Sequence, residues 1–323
     1  MSPRPSQKEF LSLFVGIISF VSVSPRYSLL VAAGFVAALA YPQTPTIRVA
    51  ANLVLTPVWV ADSGGKPVRN LGLEDFEIEE NGVRVAVERL GEPGEAPLEL
   101  AMLFDMSGSV YSRFELERQA AAHFLSRTVR QHDSVSIISV ANEPRILQER
   151  TSSLEVALRA VAEITPTTQA TAFYNSVARA ARMLREVERP EARRVIVALS
   201  DGEDNRSIDY KLTDVLRELQ LTNCLFYSIN PSGRAYSKNY FGRRAQESME
   251  EMARQTGGVS FVADSVEELA EFYDRIADEL NGQYLLGYYS PATSGKSMYR
   301  RIVVKVRGRP ELQVKARPGY YPK

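Results

Sequence analysis

The chain has 323 residues, of which 45% are hydrophobic and 24% are charged, and its 39 basic residues balance its 39 acidic ones. This length is typical of about two domains, and the balanced charge offers no basic surface that could neutralise the phosphates of a nucleic acid. The only two histidines, His123 and His132, leave little basis for histidine catalysis.

Residues 1–45 are predicted to be a targeting segment. They contain two apolar runs, at 10–24 and 28–40, and an arginine precedes the second run. This pattern is typical of a secretory signal, which has a basic residue, then a run of about 13 apolar residues, and then small residues at its end, here at Ala40. We therefore predict export, to the periplasm or outside the cell, with cleavage near Ala40. A membrane anchor through residues 10–40 is the alternative, although each run is shorter than the ~20 residues that span a bilayer.

Residues 46–97 are predicted to form β-strands. Residues 46–62 supply one or two of them, and residues 76–87 contain an Asn-Gly pair at 81–82. Asn-Gly is the preferred two-residue hairpin turn because both positions adopt positive φ. The resulting register pairs Glu80 with Val83, Ile78 with Val85 and Phe76 with Val87.

Residues 98–281 are predicted to form a domain of alternating strands and helices. Short, nearly unbroken apolar runs are typical of strands buried on both faces, and they lie at 98–104, 135–140, 194–199, 224–229 and 258–262. Apolar residues recur every three or four positions in 171–188, which predicts a helix. Residues 141–150 suggest an antiparallel edge strand. The fold class is α/β, with a doubly wound, mostly parallel sheet.

Residues 282–323 are again predicted to be β. Apolar and polar residues alternate in 299–307 and 311–317, as expected of half-exposed antiparallel strands. The strands at the two chain ends can pair as one β module around the inserted α/β domain. Two separate small units are the alternative.

Five oxygen-bearing side chains follow predicted strands or precede a predicted helix. In an open α/β sheet, the carboxyl ends of the strands meet the helix starts at one edge, where ligands bind. The residues are Asp105, Ser107, Ser109, Thr171 and Asp201. Hard oxygen ligands favour Mg²⁺, or Mn²⁺ in its place. Each hydroxyl alone is more typical of a cap or a turn, but the joint placement favours a metal site.

These segments resemble the von Willebrand factor type A domain. "DMSGS" (105–109), "ATAFYNSV" (170–177) and "LSDGEDNRS" (199–207) match its metal-ion-dependent adhesion site in order. The flanking "LGLEDFEIEENG" and "QYLLGYYSP" resemble a bacterial exported subgroup with this domain. The resemblance implies that the five residues bind a divalent cation, which in turn coordinates a carboxylate of a partner protein. The partner's identity is unknown, and a membrane is involved only if the targeting segment is retained as an anchor.

Two other functions are weighed against protein binding. The metal could be purely structural, or Asp105 could be a phosphorylated nucleophile, although the second carboxylate and the later lysine of such enzymes are missing. We therefore predict no enzyme activity and no catalytic residues. For partner contacts, the loop 230–244 offers Tyr236, Tyr240, Phe241 and Arg243, because Tyr and Arg are enriched in binding hot spots. That loop could equally pack on its own domain.

Overall fold

The computed structural model describes residues 53–106, 114–167, 170–291 and 298–322. The predicted targeting segment, residues 46–52 of the first β region, Ser107 and Ser109 lie outside the described residues. Within the described ranges, no helix is both long enough and apolar enough to cross a bilayer.

The secondary structure follows the predicted succession of β, α/β and β regions. The strands are β1 (Leu53–Ala61), β2 (Phe76–Glu80), β3 (Val83–Val85), β4 (Arg89–Gly91), β5 (Leu98–Asp105), β6 (Ser134–Val140), β7 (Arg145–Thr151), β8 (Arg193–Leu199), β9 (Cys224–Asn230), β10 (Ser260–Val262), β11 (Tyr284–Tyr289), β12 (Arg300–Val306), β13 (Gln313–Ala316) and β14 (Gly319–Tyr320). The helices are α1 (Phe114–Thr128), α2 (Leu154–Ala162), α3 (Phe173–Glu186), α4 (Leu212–Thr222), α5 (Tyr240–Thr256) and α6 (Val266–Gly282).

The central sheet has six strands in the order β10-β9-β8-β5-β6-β7. Neighbouring strands are parallel except for β6 and β7, which are antiparallel. The five predicted apolar runs correspond to β5, β6, β8, β9 and β10, and the predicted edge strand is β7. The doubly wound, mostly parallel α/β sheet is therefore confirmed.

Helices cover both faces of the central sheet. On β5, Leu100, Met102 and Phe104 join a core formed with α1, α2 and α6. Ala101 and Leu103 join the opposite core, formed with α3, α4 and α5. Because successive side chains of a strand point to opposite faces, a strand covered on both sides is apolar throughout, which explains the unbroken runs of the sequence.

The strands at the two chain ends pair with each other. One four-stranded sheet has the order β13-β1-β11-β4, and the other has the order β14-β12-β2-β3. Strand β1 pairs with β11 and β13, and β2 pairs with β12, all antiparallel. Side chains of both sheets share one buried core. The two ends therefore form a joint β module rather than two separate units.

The Asn-Gly hairpin adopts the predicted register over β2 and β3. Glu80 is opposite Val83 and Ile78 is opposite Val85, and the turn residues have φ of 50° and 80°. The third predicted pair is not formed within the ladder, because β3 ends at Val85. Val83 is exposed, whereas Glu80 is buried. The buried charge was not anticipated from the alternation of this segment.

Cys224, the only cysteine of the chain, is 3% exposed in the first position of β9. Burial raises the pKa of its thiol, so the reactive thiolate is disfavoured. We expect a disulfide-exchange reagent to label no thiol in the native protein at neutral pH and one thiol per chain in urea. Absorbance of the released thiol measures the labelling. Labelling of native and unfolded chains at the same rate would contradict the buried position.

Candidate functional site

Two buried aspartates lie at the carboxyl ends of adjacent parallel strands. Phe104 of β5 is opposite Leu199 of β8, so Asp105 lies beside Ser200, and Asp201 follows one residue later. Asp105 is 2% exposed and Asp201 is 3% exposed. Neighbouring strands are about 4.8 Å apart, so the register brings two acidic side chains to one point of the sheet edge.

Ser200 connects Asp105 at the end of β5 with the turn that follows β8. It is fully buried, its hydroxyl donates to Asp105 Oδ2 at 2.6 Å, and its Oγ accepts the backbone N–H of Gly202 at 3.0 Å. The hydroxyl therefore orients the Asp105 carboxylate and the turn after β8 at once. The sequence prediction missed Ser200, although its position directly after an apolar strand and before Asp201 was a usable signal.

The turn that carries Asp201 requires a glycine at position 202. Asp201 Oδ1 accepts the backbone N–H of Glu203 at 3.0 Å, and Gly202 has a φ of +75°. L-residues rarely adopt that conformation, and a Cβ there would lie 2.7 Å from Cε of Met249. The "SDG" segment is thus a tight turn that fixes the direction of the Asp201 side chain.

Thr171 is placed against the same turn by backbone contacts. Its carbonyl accepts the N–H groups of Asn205 and Arg206 at 3.0 and 3.1 Å, and its own N–H donates to Asn205 Oδ1 at 3.0 Å. The next residue, Ala172, donates to the carbonyl of Ala141 just after β6. Thr171 is 4% exposed and lies two residues before α3.

Tyr236 connects a third loop to this edge. Its hydroxyl donates to the Glu203 carboxylate. Burial, followed by this hydrogen bond, raises the pKa of the phenol. The charges of Asp201 and Asp105 act in the same direction, which is expected of a phenol near both carboxylates. Tyr236, predicted as a partner contact, is therefore engaged with its own domain.

The other predicted partner contacts are at the surface. Tyr240 is 55% exposed and Phe241 is 72% exposed, and their rings meet edge to face with centroids 5.5 Å apart. Arg243 is exposed, and its Nε lies 3.8 Å from the Glu247 carboxylate on the same helix. All three residues lie in the first turn of α5, which follows the loop that leaves β9.

The described part of the site fits a hard cation. Asp105, Thr171 and Asp201 present only oxygen donors, which is the chemistry that Mg²⁺ and Mn²⁺ prefer. Among the residues that the structure describes, no three side chains of His, Cys, Asp or Glu cluster in a way that could hold a metal ion. A cation at this edge would therefore depend on hydroxyl oxygens beside the two carboxylates.

Residues 100–203 match the family model of the von Willebrand factor type A domain. The match covers β5 to β8 and the turn after β8. The α/β domain is a von Willebrand factor type A domain. The family assignment agrees with the resemblance carried by the three sequence segments around Asp105, Thr171 and Asp201. No curated protein matches the chain.

Several solved structures are similar to the type A domain. The conserved hypothetical protein BatB from Bacteroides thetaiotaomicron is 14% identical, with 56% of this chain and 98% of that chain covered and a TM-score of 0.43. The vWF domain of the type V pili tip protein Mfa5 from Porphyromonas gingivalis is 13% identical, with 58% and 95% covered and a TM-score of 0.47. The SpRpn10 VWA domain is 14% identical, with 57% and 97% covered and a TM-score of 0.43.

Proposed function

We propose that the chain is an exported protein-binding module whose type A domain docks a partner through a divalent cation. The cation, Mg²⁺ or Mn²⁺, binds Asp105, Ser107, Ser109, Thr171 and Asp201, and a carboxylate of the partner protein completes its coordination. The single observation that supports this most is the pair of buried aspartates at the ends of β5 and β8. The family match adds support, since type A domains are commonly interaction modules.

Electrostatics give the reason for a cation at this edge. Two carboxylates held close together repel each other, and a divalent cation between them makes the set formally neutral. Hydroxyl ligands add no charge, so a cation bound there stays attractive to an anionic group. Mg²⁺ also keeps several of its waters in protein sites, and a partner carboxylate can replace one of them.

Two alternatives have different consequences. If the cation is only structural, chelation changes stability but not partner binding. If Asp105 is a phosphorylated nucleophile, a phosphate donor modifies it covalently. We favour docking because the second carboxylate and the later lysine that accompany a phosphorylated aspartate are missing from the sequence, where position 107 is a serine. The alternative to release after export is that residues 10–40 anchor the protein in the membrane.

The first test is titration of the metal-stripped protein with Mg²⁺ by calorimetry. Asp201→Asn removes half of the compensating negative charge, so we expect no measurable binding. Thr171→Ala removes one neutral ligand and is expected to weaken Mg²⁺ binding by about tenfold. This loss in affinity corresponds to the net free energy of about one hydrogen bond. Asp209→Asn is the matched control, because Asp209 is exposed in the loop after the same turn. Binding by Asp201→Asn equal to that of Asp209→Asn would contradict the metal site.

The second part of the test is partner capture from the exported fraction with Mg²⁺ or a chelator. Asp201→Asn is expected to lose metal and partner together, whereas Thr171→Ala is expected to weaken capture while retaining some metal. Circular dichroism controls for the fold of each variant. Capture that is unchanged by chelation and by Asp201→Asn would leave the cation with a structural role only.

A further inference from the structure

A cavity lies between the type A domain and the β module, at the end of the central sheet opposite the two aspartates. Its volume is about 380 Å³, which is within the range of small-molecule sites. Arg193, Arg194 and Arg317 line it, and we call it the arginine cavity. The first two arginines begin the seven-residue strand β8, whose other end precedes Asp201. At a rise of ~3.3 Å per residue, the two sites are roughly 20 Å apart.

The three arginines of the cavity are buried without a carboxylate partner. Arg193 is 4% exposed, Arg194 7% and Arg317 6%, although arginine is almost never fully buried unless it is paired. Among the described residues, no carboxylate lies within ion-pairing distance of these guanidinium groups. Burial lowers the pKa of Arg193 and of Arg317, which is the direction expected of a cation whose charge is weakly compensated.

Neutral oxygens hold the guanidinium groups in place. Arg193 donates to two backbone carbonyls and an amide oxygen. Arg317 donates to a carbonyl of β1, a hydroxyl and the Asn223 amide oxygen, and its buried Nε has no hydrogen-bond partner among the described residues. Arg194 donates to three backbone carbonyls through Nε and Nη2. Its Nη1, which takes part in none of these bonds, is left to donate to a ligand.

The acids near the arginine cavity are already paired with other cations. Glu99 is opposite Arg194 on the neighbouring strand β5, but its carboxylate accepts bonds from Arg150 and Arg189. Glu191 is the one acid among the described residues that line the cavity, and it lies 3.7 Å from Nε of Arg189. The lining therefore has three cations and one acid, so its charge favours an anion.

The remaining wall of the arginine cavity is largely apolar. Strand β1 contributes Leu53, Leu55 and Pro57, and β11 contributes Leu285. These four side chains are only half-buried. An apolar group that enters the cavity removes more of this surface from water, and the free energy gained is proportional to the area covered. The lining thus suits a ligand that has both a negative charge and an apolar body.

We infer that the arginine cavity binds a small organic carboxylate with an apolar body, of the size of a medium-chain fatty acid. Arg317 donates to Asn223, and the residue after Asn223 is opposite Arg194, so these two arginines approach the same part of the wall. The planar guanidinium groups match the geometry of a carboxylate. The apolar body packs on β1 and β11. The site involves neither the cation nor the two aspartates, so it is independent of the proposed function.

The test is calorimetric titration of the whole chain with octanoate in the presence of a chelator. Two control ligands separate its parts: 1-octanol has an apolar chain without the charge, and acetate has the charge without the chain. Arg317→Met removes one cation, and Arg84→Met is its control, because Arg84 is exposed on β3 and outside the lining. Leu53→Trp narrows the cavity. Leu147→Trp is its control, because Leu147 is 38% exposed on the edge strand β7.

Octanoate is expected to bind at one site per chain, at least tenfold more tightly than 1-octanol, and acetate should give no measurable binding. Arg317→Met and Leu53→Trp are each expected to weaken octanoate binding about tenfold or more, whereas both control variants bind like the unaltered chain. Circular dichroism checks the fold, and Leu53→Trp and the control ligands decide if Arg317→Met does not fold.

Two results would overturn the arginine cavity as a carboxylate site. One is equal affinity of the unaltered chain for octanoate and 1-octanol, and the other is equal octanoate affinity of Leu53→Trp and Leu147→Trp. Because the chelator removes divalent cations from every titration, neither result bears on the proposed docking through a metal ion. A failure of the proposed function would in turn leave octanoate binding unchanged.

Discussion

Replacing Glu80 by alanine is expected to lower the free energy of unfolding by about 3–5 kcal/mol, the cost of breaking a buried charged group's interactions. Glu80 is 1% exposed and accepts hydroxyls of Ser290, Tyr288 and Tyr320 at 2.6, 2.9 and 3.0 Å. Its Oε1 lies 3.6 Å from Nη1 of the buried Arg300. Alanine would remove the acceptor that all four donors face, and three of these donors belong to buried residues.

The effect should spread across both sheets of the β module. Glu80 is on β2 of one sheet, and Tyr288 is on β11 of the other. The carboxylate therefore links two sheets whose strands come from opposite ends of the chain. Urea unfolding followed by circular dichroism measures the loss as a shift of the midpoint at unchanged slope.

Glu79→Ala is the matched control for Glu80→Ala. Glu79 is the preceding residue of β2, on the opposite face, and its carboxylate lies 3.3 Å from Nζ of the exposed Lys305. An exposed ion pair of this kind contributes less than about 1 kcal/mol to the free energy of unfolding. Equal midpoint shifts for the two variants would mean that the buried network contributes no more than the surface pair.

Gly258→Ala is expected to destabilise the type A domain by about 3 kcal/mol, at the upper end of the cost of overpacking. A Cβ at position 258 would lie 2.0 Å from the carbonyl oxygen of Phe226. Phe226 is in the middle of β9, whose neighbours on both sides are hydrogen-bonded strands. The clash is with strand backbone, so a rotamer change cannot relieve it. Urea unfolding again measures the effect.

Gly64→Ala controls for the general effect of adding a methyl group to a glycine. Gly64 lies in an exposed turn, and the nearest atom to its added Cβ is the flexible side-chain oxygen of Asp62 at 3.3 Å. A surface substitution of this kind should change the free energy of unfolding by no more than about 0.5 kcal/mol. If the midpoint of Gly258→Ala matched that of Gly64→Ala, the close approach of residue 258 to β9 would be refuted.

Periodicity alone was sufficient for the doubly wound, mostly parallel sheet of the α/β domain. Unbroken apolar runs identified the central strands because helices cover both faces of that sheet, and this is a local property of each segment. The carboxyl ends of parallel strands share one edge whatever the details of packing. Asp105 and Asp201 could therefore be expected at the same edge of the sheet before any contact was known.

Tertiary structure alone decided the contacts that orient and support these residues. Ser200 and Asp105 are 95 residues apart in the chain, and Glu80 and Tyr288 are 208 apart. Alternation places Glu80 on the same face as Phe76 and Ile78, but no local pattern shows that three hydroxyls meet its carboxylate there. Its burial is tolerated only because distant donors satisfy the charge, and those donors come together only when the two chain ends pair.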